Sequence, residues 1–598
     1  MRTATTILAI ISERSKRGLP LERVYRLLFN RDLYLMAYGK IYSNKGALTP
    51  GSTSETADMM SLAKIDAIID AVRNERYRWT PVRRVSIEKK NSTKKRALGL
   101  PTWSDKLLQE VIRMILSAFY EPQFSDYSHG FRTGRGCHTA LRQIDHAWLG
   151  TTWYVEGDIR ACFDSLDHTI LLKILAERIH DGRFLRLIRE LLQAGYLSDW
   201  KYNVTLSGAP QGGIVSPVLS NIYLDKLDKY IEQTLIPTYT KGTRRPDHPP
   251  YTVLMTQIAK LKRAGKHEEA NKVRKMAQQL PSQDPNDPNF RRLRFCRYAD
   301  DWLLGFIGPK AEAEEIKNHI KMFLQEELKL DLSEEKTLIT HARTEAARFL
   351  SYHISTSHAD TYRPKGKRHA NGKVEEKLPL DILQKKYQRY MKNGKPVHRK
   401  ECTNDTVFSI IERYQAEYRG LVEYYQLADN LHKLNRLKWV METSLTKTLA
   451  QKLQLSVSQV YKKYQTTLRV GKQTYKGLQV VLPRDGKKPL VATWGGISLR
   501  KKPTAILNDQ PRRIWNGRTE LEQRLLADIC EMCESHDRIT VHHIRALKDL
   551  NQYGRREKPQ WVKIMAARHR KTLIVCWSCH VEIQYGKPMR HAKDRNGV

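Results

Sequence analysis

The stretch RFCRYADDWLLGF, residues 294 to 306, sets two adjacent aspartates, Asp300 and Asp301, between two apolar runs. An apolar strand, a tight YADD turn and a second apolar strand predict a β-hairpin. Most surface acids sit among polar neighbours, and these do not. Carboxylates held together against an apolar background lose hydration and repel each other. A divalent cation removes both costs. A matching arrangement lies upstream, where WYVEGDIRACFDSLDH places Asp158 at the end of another apolar strand. Three carboxylates on neighbouring strand ends can hold two Mg2+ ions. Hard oxygen ligands suit that ion, and it completes its shell with waters and substrate phosphates. Two such ions about 4 Å apart activate a 3′-hydroxyl and stabilise a leaving pyrophosphate. A lone YADD reads equally well as a solvated turn; Asp158 in a matching context shifts the reading to a metal site.

The rest of the chain says what such a site acts on. Among 598 residues, 104 are Lys or Arg and 64 are Asp or Glu, a formal charge of +40. Charge of one sign in this excess repels itself, and a phosphate backbone relieves the repulsion by releasing its counterions, so the expected partner is nucleic acid. The apolar share of 40% supports folded cores and excludes a disordered basic tail. The length corresponds to roughly three to five domains. No signal peptide is apparent, and no apolar run approaches the ~18 residues of a membrane span. The opening MRTATTILAIISERSKRGL reads as an amphipathic helix. Cys137, Cys162, Cys296 and Cys402 are scattered singly, whereas Cys530, Cys533, Cys576 and Cys579 form two CxxC pairs. That pattern predicts a reducing compartment and metal-binding thiolates.

Residues 1 to about 80 look helical and basic, with a turn at NKGALTPGS. From there to about 375, strand-like runs (TWYVEGDI, LRFCRYAD) alternate with amphipathic helices (SDKLLQEVIRMILSAF, EEIKNHIKMFLQEEL), the pattern of an α+β fold. Residues 236 to 290 read as an insertion in which LKRAGKHEEANKVRKMAQQL forms a solvated helix. A basic stretch, RPKGKRHANGKVEEK, precedes a helical region from 378 to about 465. Residues 466 to 520 are basic with short strand-like pieces (LQVVLP, PLVATW).

Ordered blocks give the chain a resemblance to the reverse transcriptases encoded by group II introns. KKNSTKKRALGLPTWSDKLLQ (89 to 109) resembles the family's fingers motif, with Arg96 at the position that contacts the incoming triphosphate. Ala97 stands where the family often has proline. SHGFRTGRGCHTAL (128 to 141) is similar to the next block. GDIRACFDSLDH resembles the first catalytic block: Asp158 as metal ligand, Ile159 contributing its carbonyl, and Phe163 as the gate whose ring clashes with a 2′-hydroxyl. LSGAPQGGIVSPVLSNIYL (206 to 224) resembles the primer and dNTP-pocket block, which implies that Gln211 touches the nascent pair and that Gly212 and Gly213 admit a close backbone approach. Ala209 stands where threonine is common. LDLSEEKTLIT brings Lys336 as a proton donor to pyrophosphate, and RFLSYHI (348 to 354) is similar to the primer-grip strand. YRGLVEYYQLADN (418 to 430) resembles the maturase, or X, domain, although Tyr424 and Tyr425 would equally serve a helical core.

In the last 80 residues, CEMC and CWSC frame a 42-residue gap. Four thiolates so spaced close a tetrahedral structural Zn2+ site. Between them, ITVHHIRALKDL is similar to an HNH nuclease strand. The resemblance implies His542 as a ligand of a catalytic divalent metal, His543 as general base, and His580 as a second ligand. Two departures stand out. Gln584 takes the place of a histidine in the family's CHxxIH pattern, and an asparagine before the second CxxC is missing from RKTLIVC. His591 is an alternative ligand. A zinc-stapled DNA-binding knob without cleavage is the competing reading.

The resemblance implies a right-hand fold: reverse transcriptase fingers and palm (1–375, with the insertion 236–290), a helical thumb (376–465), a DNA-binding region (466–520) and a zinc-stapled ββα HNH module (521–598). It implies an RNA-directed DNA polymerase that also aids splicing of its intron RNA and nicks target DNA to prime reverse transcription. Expected partners are intron RNA, target DNA and dNTPs, with no membrane. The expected location is the bacterial cytoplasm, on the nucleoid, or an organelle. The alternative is an RNA-binding maturase with a weakened endonuclease.

Overall fold

A computed structural model describes residues 2–585, apart from residues 45, 89–94, 199–200, 206, 209–211, 285–286, 359–371, 472, 485–486, 508–519, 545–549, 551–558 and 569. The chain is mixed helix and strand, as its patterning predicts. Its first part is helical. Helices Ala4–Lys16, Arg31–Ile41 and Leu62–Arg73 start where Thr3, Asn30 and Ser61 accept hydrogen bonds from first-turn N–H groups. The helix Trp103–Tyr120, capped by Thr102, is buried along most of its length, and two of those helices pack on it. A four-stranded sheet follows in the order Lys95–Leu100, Val82–Glu88, Tyr196–Ser198, Lys201–Asn203.

The sheet that carries the aspartates is antiparallel throughout. Its order is Ile339–His341, Trp153–Asp158, Asp301–Ile307, Arg292–Tyr298. The predicted hairpin forms around a two-residue turn, Ala299–Asp300, because Tyr298 pairs with Asp301. Ala299 takes the left-handed conformation (φ 58°) that such a turn requires. Gly130 lies against it so closely that a Cβ there would come within 2.3 Å of the Ala299 nitrogen. Gly157 faces the buried Trp302 across the ladder, and its own Cβ would fall inside the indole ring. Both glycines are therefore required by packing.

The charged stretch in the insertion is not one helix. It straddles a helical hairpin, Pro249–Arg263 and His267–Ala277, because Gly265 turns the chain in the left-handed region (φ 72°). Ile258, Ala270 and Ala277 give this hairpin a small core of its own.

Helices Leu380–Gln388, Val407–Tyr424, Leu434–Leu453 and Val457–Tyr464 form the predicted helical region. A three-stranded meander, Gln465–Val470, Gln473–Arg484 and Lys487–Trp494, packs on it. Leu478, Ala492 and Trp494 belong to the same core as Tyr414 and Tyr418. Polar contacts tie the two parts together. The Gln415 amide exchanges hydrogen bonds with the Gly495 backbone at 2.9 and 3.0 Å, and the Trp494 indole donates to Glu442.

At the C-terminus, Thr540–His543 pairs antiparallel with Thr572–Val575, and the helix Trp577–Tyr585 follows. This small unit is docked on the N-terminal helices. Met60 joins its edge through an isolated β-bridge, Met59 N–H to Val541 O (2.9 Å) and Val541 N–H to Met60 O (2.8 Å).

Candidate active site and metal centres

The register of the central sheet puts Asp158 directly opposite Asp301, with Asp300 in the adjoining turn. Opposed like charges destabilise a sheet. The cost shows at Asp301, whose carboxyl is pushed up to about 7 by desolvation first, then by the charges of Asp300 and Asp158. Lys336 offsets part of it. Its Nζ lies 2.5 Å from Asp158 Oδ2, and this hydrogen bond leads the causes that raise the lysine's own pKa. A divalent cation would neutralise the three carboxylates together, and an all-oxygen donor set fits Mg2+.

Ile159 forms a bridge with Leu332 whose ladder bonds use the carbonyls of Asp158 and Asp331, so the Ile159 carbonyl stays outside that ladder. Phe163 lies on the short helix Cys162–Ser165, entered through the left-handed Ala161. Its half-buried ring stands edge-on to Phe131, with centroids 6.3 Å apart. Gly212 (φ 103°) lies so near the Lys95–Leu100 strand that a Cβ would come 2.5 Å from Gly99 O. Gly213 is buried beside it, and the next amide, Ile214 N–H, donates to Gln109. Arg96 pairs with Ile87 in that strand, but its side chain lies outside the described part of the structure. Gln211 lies outside the described residues altogether, as does His591.

A buried ion pair beneath the YADD turn has no signal in the sequence. Arg297 and Asp228 are fully buried, and the guanidinium grips both carboxylate oxygens at 2.6 Å. Its remaining N–H groups reach Asn221 Oδ1, Ser128 Oγ and, at 2.7 Å, the carbonyl of Ala299 in the turn itself. All five guanidinium donors are thus used, which is the condition for a buried pair to be tolerated. The pair thereby braces the turn that carries Asp300.

Tyr424 and Tyr425 serve packing. Their hydroxyls donate to the carbonyls of Leu350 and Ser351, at 2.8 and 3.1 Å. Those two residues make the left-handed turn (φ 48° and 60°) of the Ala347–Phe349 and Tyr352–Thr356 hairpin. The helical region thereby braces RFLSYHI.

The four C-terminal cysteines converge. Cys533 Sγ lies 3.6 Å from both Cys576 Sγ and Cys579 Sγ. That is far beyond a disulfide bond and close to the edge of a tetrahedron with bonds of about 2.3 Å. The donor set fits zinc.

His542, His543 and His580 are all buried. Burial lowers the pKa of His542 and of His543 to about 4, so both rings are neutral, as a metal ligand or a general base must be. The His542 and His580 nitrogens face each other at 3.4 Å. His543 Nε2 lies 2.8 Å from the hydroxyl of Tyr38, in the N-terminal helices. Asp58, with no motif around it in the sequence, reaches both imidazoles that are candidate ligands: Oδ1 is 3.3 Å from His580 Nε2 and 3.7 Å from His542 Nδ1. Gln584, where a histidine is expected, donates to Asp58 Oδ2 at 3.1 Å.

Comparison with known proteins agrees with this layout. The family model for reverse transcriptase (RNA-dependent DNA polymerase) matches residues 87–354, that for type II intron maturase matches 376–480, and that for AI2M/AI1M-like HNH endonuclease matches 530–580. The chain is 38% identical to the group II intron-encoded protein LtrA of Lactococcus lactis subsp. cremoris, over 97% of this chain and 99% of that one. It is 34% identical to an uncharacterized 91 kDa protein in the cob intron of Schizosaccharomyces pombe, over 96% of this chain and 72% of that one. A putative COX1/OXI3 intron 1 protein of Saccharomyces cerevisiae is 31% identical, over 94% and 69%. With matching polymerase, maturase and HNH segments in one order and a relative alike from end to end, the chain belongs to the group II intron-encoded proteins, multifunctional chains that carry an RNA-directed DNA polymerase, a maturase and an HNH endonuclease.

Proposed function

We propose that Asp158, Asp300 and Asp301 hold two Mg2+ ions and extend a primer along the intron RNA. The observation that carries this reading is the register that sets Asp158 opposite Asp301 beside the Asp300 turn. Bound ions supply positive charge at the primer 3′-hydroxyl and at the departing pyrophosphate. The 3′-oxygen bonds to the α-phosphorus, the bond to the β-phosphate oxygen breaks, and the hydroxyl proton leaves to solvent. Arg96 grips the triphosphate, Gln211, Gly212 and Gly213 line the nascent pair, and Phe163 excludes a 2′-hydroxyl. Ile159 offers its carbonyl to a metal. Lys336, beside Asp158, protonates the pyrophosphate.

In this reading residues 1–375 are fingers and palm, 376–465 the thumb and 466–520 a DNA-binding region. The last of these begins with a meander that shares the helical core. The ββα unit at 521–598 is stapled by Zn2+ on Cys530, Cys533, Cys576 and Cys579. His542 and His580 hold its catalytic metal, and His543 is the general base. The protein binds its intron RNA, then nicks target DNA so that the cut 3′ end primes synthesis. The +40 charge suits simultaneous grip on a structured RNA and a DNA duplex. No helix among the described residues is long and apolar enough to cross a membrane, and we place the protein in the bacterial cytoplasm.

The test is Asp300→Ala. Primer extension on an RNA template should disappear while intron RNA still binds. Normal extension would remove the carboxylates from the active site.

A further inference from the structure

Among the described residues the motif itself brings two candidate ligands together, His542 and His580, and Gln584 stands where the family's pattern has a histidine. A third donor is nevertheless present. Asp58 Oδ1, His580 Nε2 and His542 Nδ1 form a triangle with edges of 3.3, 3.4 and 3.7 Å. Metal–nitrogen and metal–oxygen bonds of about 2.0–2.2 Å in a tetrahedron put ligand atoms roughly 3.3–3.6 Å apart. The three atoms therefore match one face of a tetrahedron, with the fourth position left for water or a phosphate oxygen.

The far nitrogen of His580 is fixed: Nδ1 lies 2.7 Å from the Thr540 hydroxyl, which also reaches Val575 O at 3.2 Å. A hydrogen bond at the far nitrogen of an imidazole is how metal-bound histidines are oriented. The His580 side chain has no solvent exposure, and its Nε2 faces Asp58 Oδ1. His542 Nε2, on the side away from the triangle, is buried and has no hydrogen-bond partner among the described residues. Its ring meets Trp561 in a T-shaped contact.

Asp58 is held for the task. Its Oδ1 accepts from the backbone N–H of His543 at 2.8 Å, and its Oδ2 accepts from the Gln584 amide at 3.1 Å. The β-bridge pairing of Met59 and Met60 with Val541 fixes the adjoining backbone.

We propose that Asp58, from the N-terminal helical region, is the third protein ligand of the HNH divalent metal, and that Gln584 orients it. This rests on the reading of His542 and His580 as metal ligands. The nuclease site is then complete only when the C-terminal unit is docked on the N-terminal one.

The test uses the full-length protein with zinc in the cysteine site, titrated with Co2+ and followed by its visible d–d absorption. Wild-type protein should bind one Co2+ with nitrogen and oxygen ligands. Losing outer-shell partners alone costs about 10- to 100-fold in affinity, so Asp58→Ala should lose at least that much while keeping its zinc. Asp58→Asn, which preserves shape and most hydrogen bonding, should also bind weakly. Asp58→Ala combined with Gln584→His should recover binding. Wild-type affinity in both single Asp58 variants, with His542→Ala abolishing binding, would overturn the Asp58 assignment alone. Unchanged binding in His542→Ala and His580→Ala would overturn the histidine site itself.

Discussion

The two nucleic-acid-cutting and -building centres of this chain are put together in opposite ways. The proposed polymerase acids come from two adjacent strands of one sheet and the turn that leads into one of them, and their meeting is a matter of register. The proposed nuclease centre takes two histidines from a small C-terminal unit and sits against Asp58 and Tyr38, the aspartate 485 positions from His543 in sequence. A register is robust, because a one-residue slip turns every side chain to the other face of a sheet buried on one side. A docked site is conditional, because it exists only while two separately packed surfaces stay together.

This contrast can be broken by experiment. Asp158→Asn removes charge from the centre of the sheet site. Because metal stabilisation of the transition state amounts to several kcal/mol, primer extension should fall by about 10³-fold or more, with nicking intact. A parallel loss of nicking, measured on cognate target DNA, would show the centres to be coupled. Cys576→Ser should do the reverse. Structural zinc is worth about 10–16 kcal/mol to small zinc folds, so nicking should vanish while extension on a primed RNA template stays within about twofold. Extension that collapses with the zinc site would mean that the polymerase needs the docked unit.

Asp228→Ala leaves the buried Arg297 without its partner. The expected cost is about 3–5 kcal/mol in denaturant unfolding, with loss of extension and retention of C-terminal zinc. Unchanged stability would deny the pair its role under the turn. The smallest effect is on pH. The raised pKa of Asp301 means that the folded, metal-free site keeps a proton that the unfolded chain releases in the ordinary carboxylate range. The stability due to that proton is lost as pH rises through about 7. Mg2+ must displace the same proton. Below pH about 7, the Mg2+ concentration needed for half-maximal extension should rise by about tenfold per pH unit. A flat Mg2+ requirement between pH 6 and pH 7, a range of roughly one tenfold step, would remove Asp301 as the titrating group.

Legibility followed locality. YADD between apolar runs, Asp158 at a strand end and the paired cysteines each announce their chemistry within a few residues. The helices of the 378–465 region were likewise readable from their spacing. The charged stretch in the insertion was misjudged as one helix, because a helical period continues through Gly265 while the backbone does not. Arg297 sits in a strand that also carries Arg292 and Arg294, and Asp228 on a buried helix, and neither has a neighbour in sequence that names the other. Asp58 stands in SETADMM, a stretch that reads as an ordinary polar loop.

The sequence by itself determined which chemistries the chain carries. Donor types are written residue by residue, and the short range of strand, turn and CxxC geometry brings neighbouring donors together wherever the rest of the chain goes. Only the tertiary structure decided what completes and supports each centre. The Arg297–Asp228 pair beneath the turn and the Asp58 oxygen beside the two histidines depend on how distant surfaces pack, and packing is settled by burial and shape, which no local pattern records.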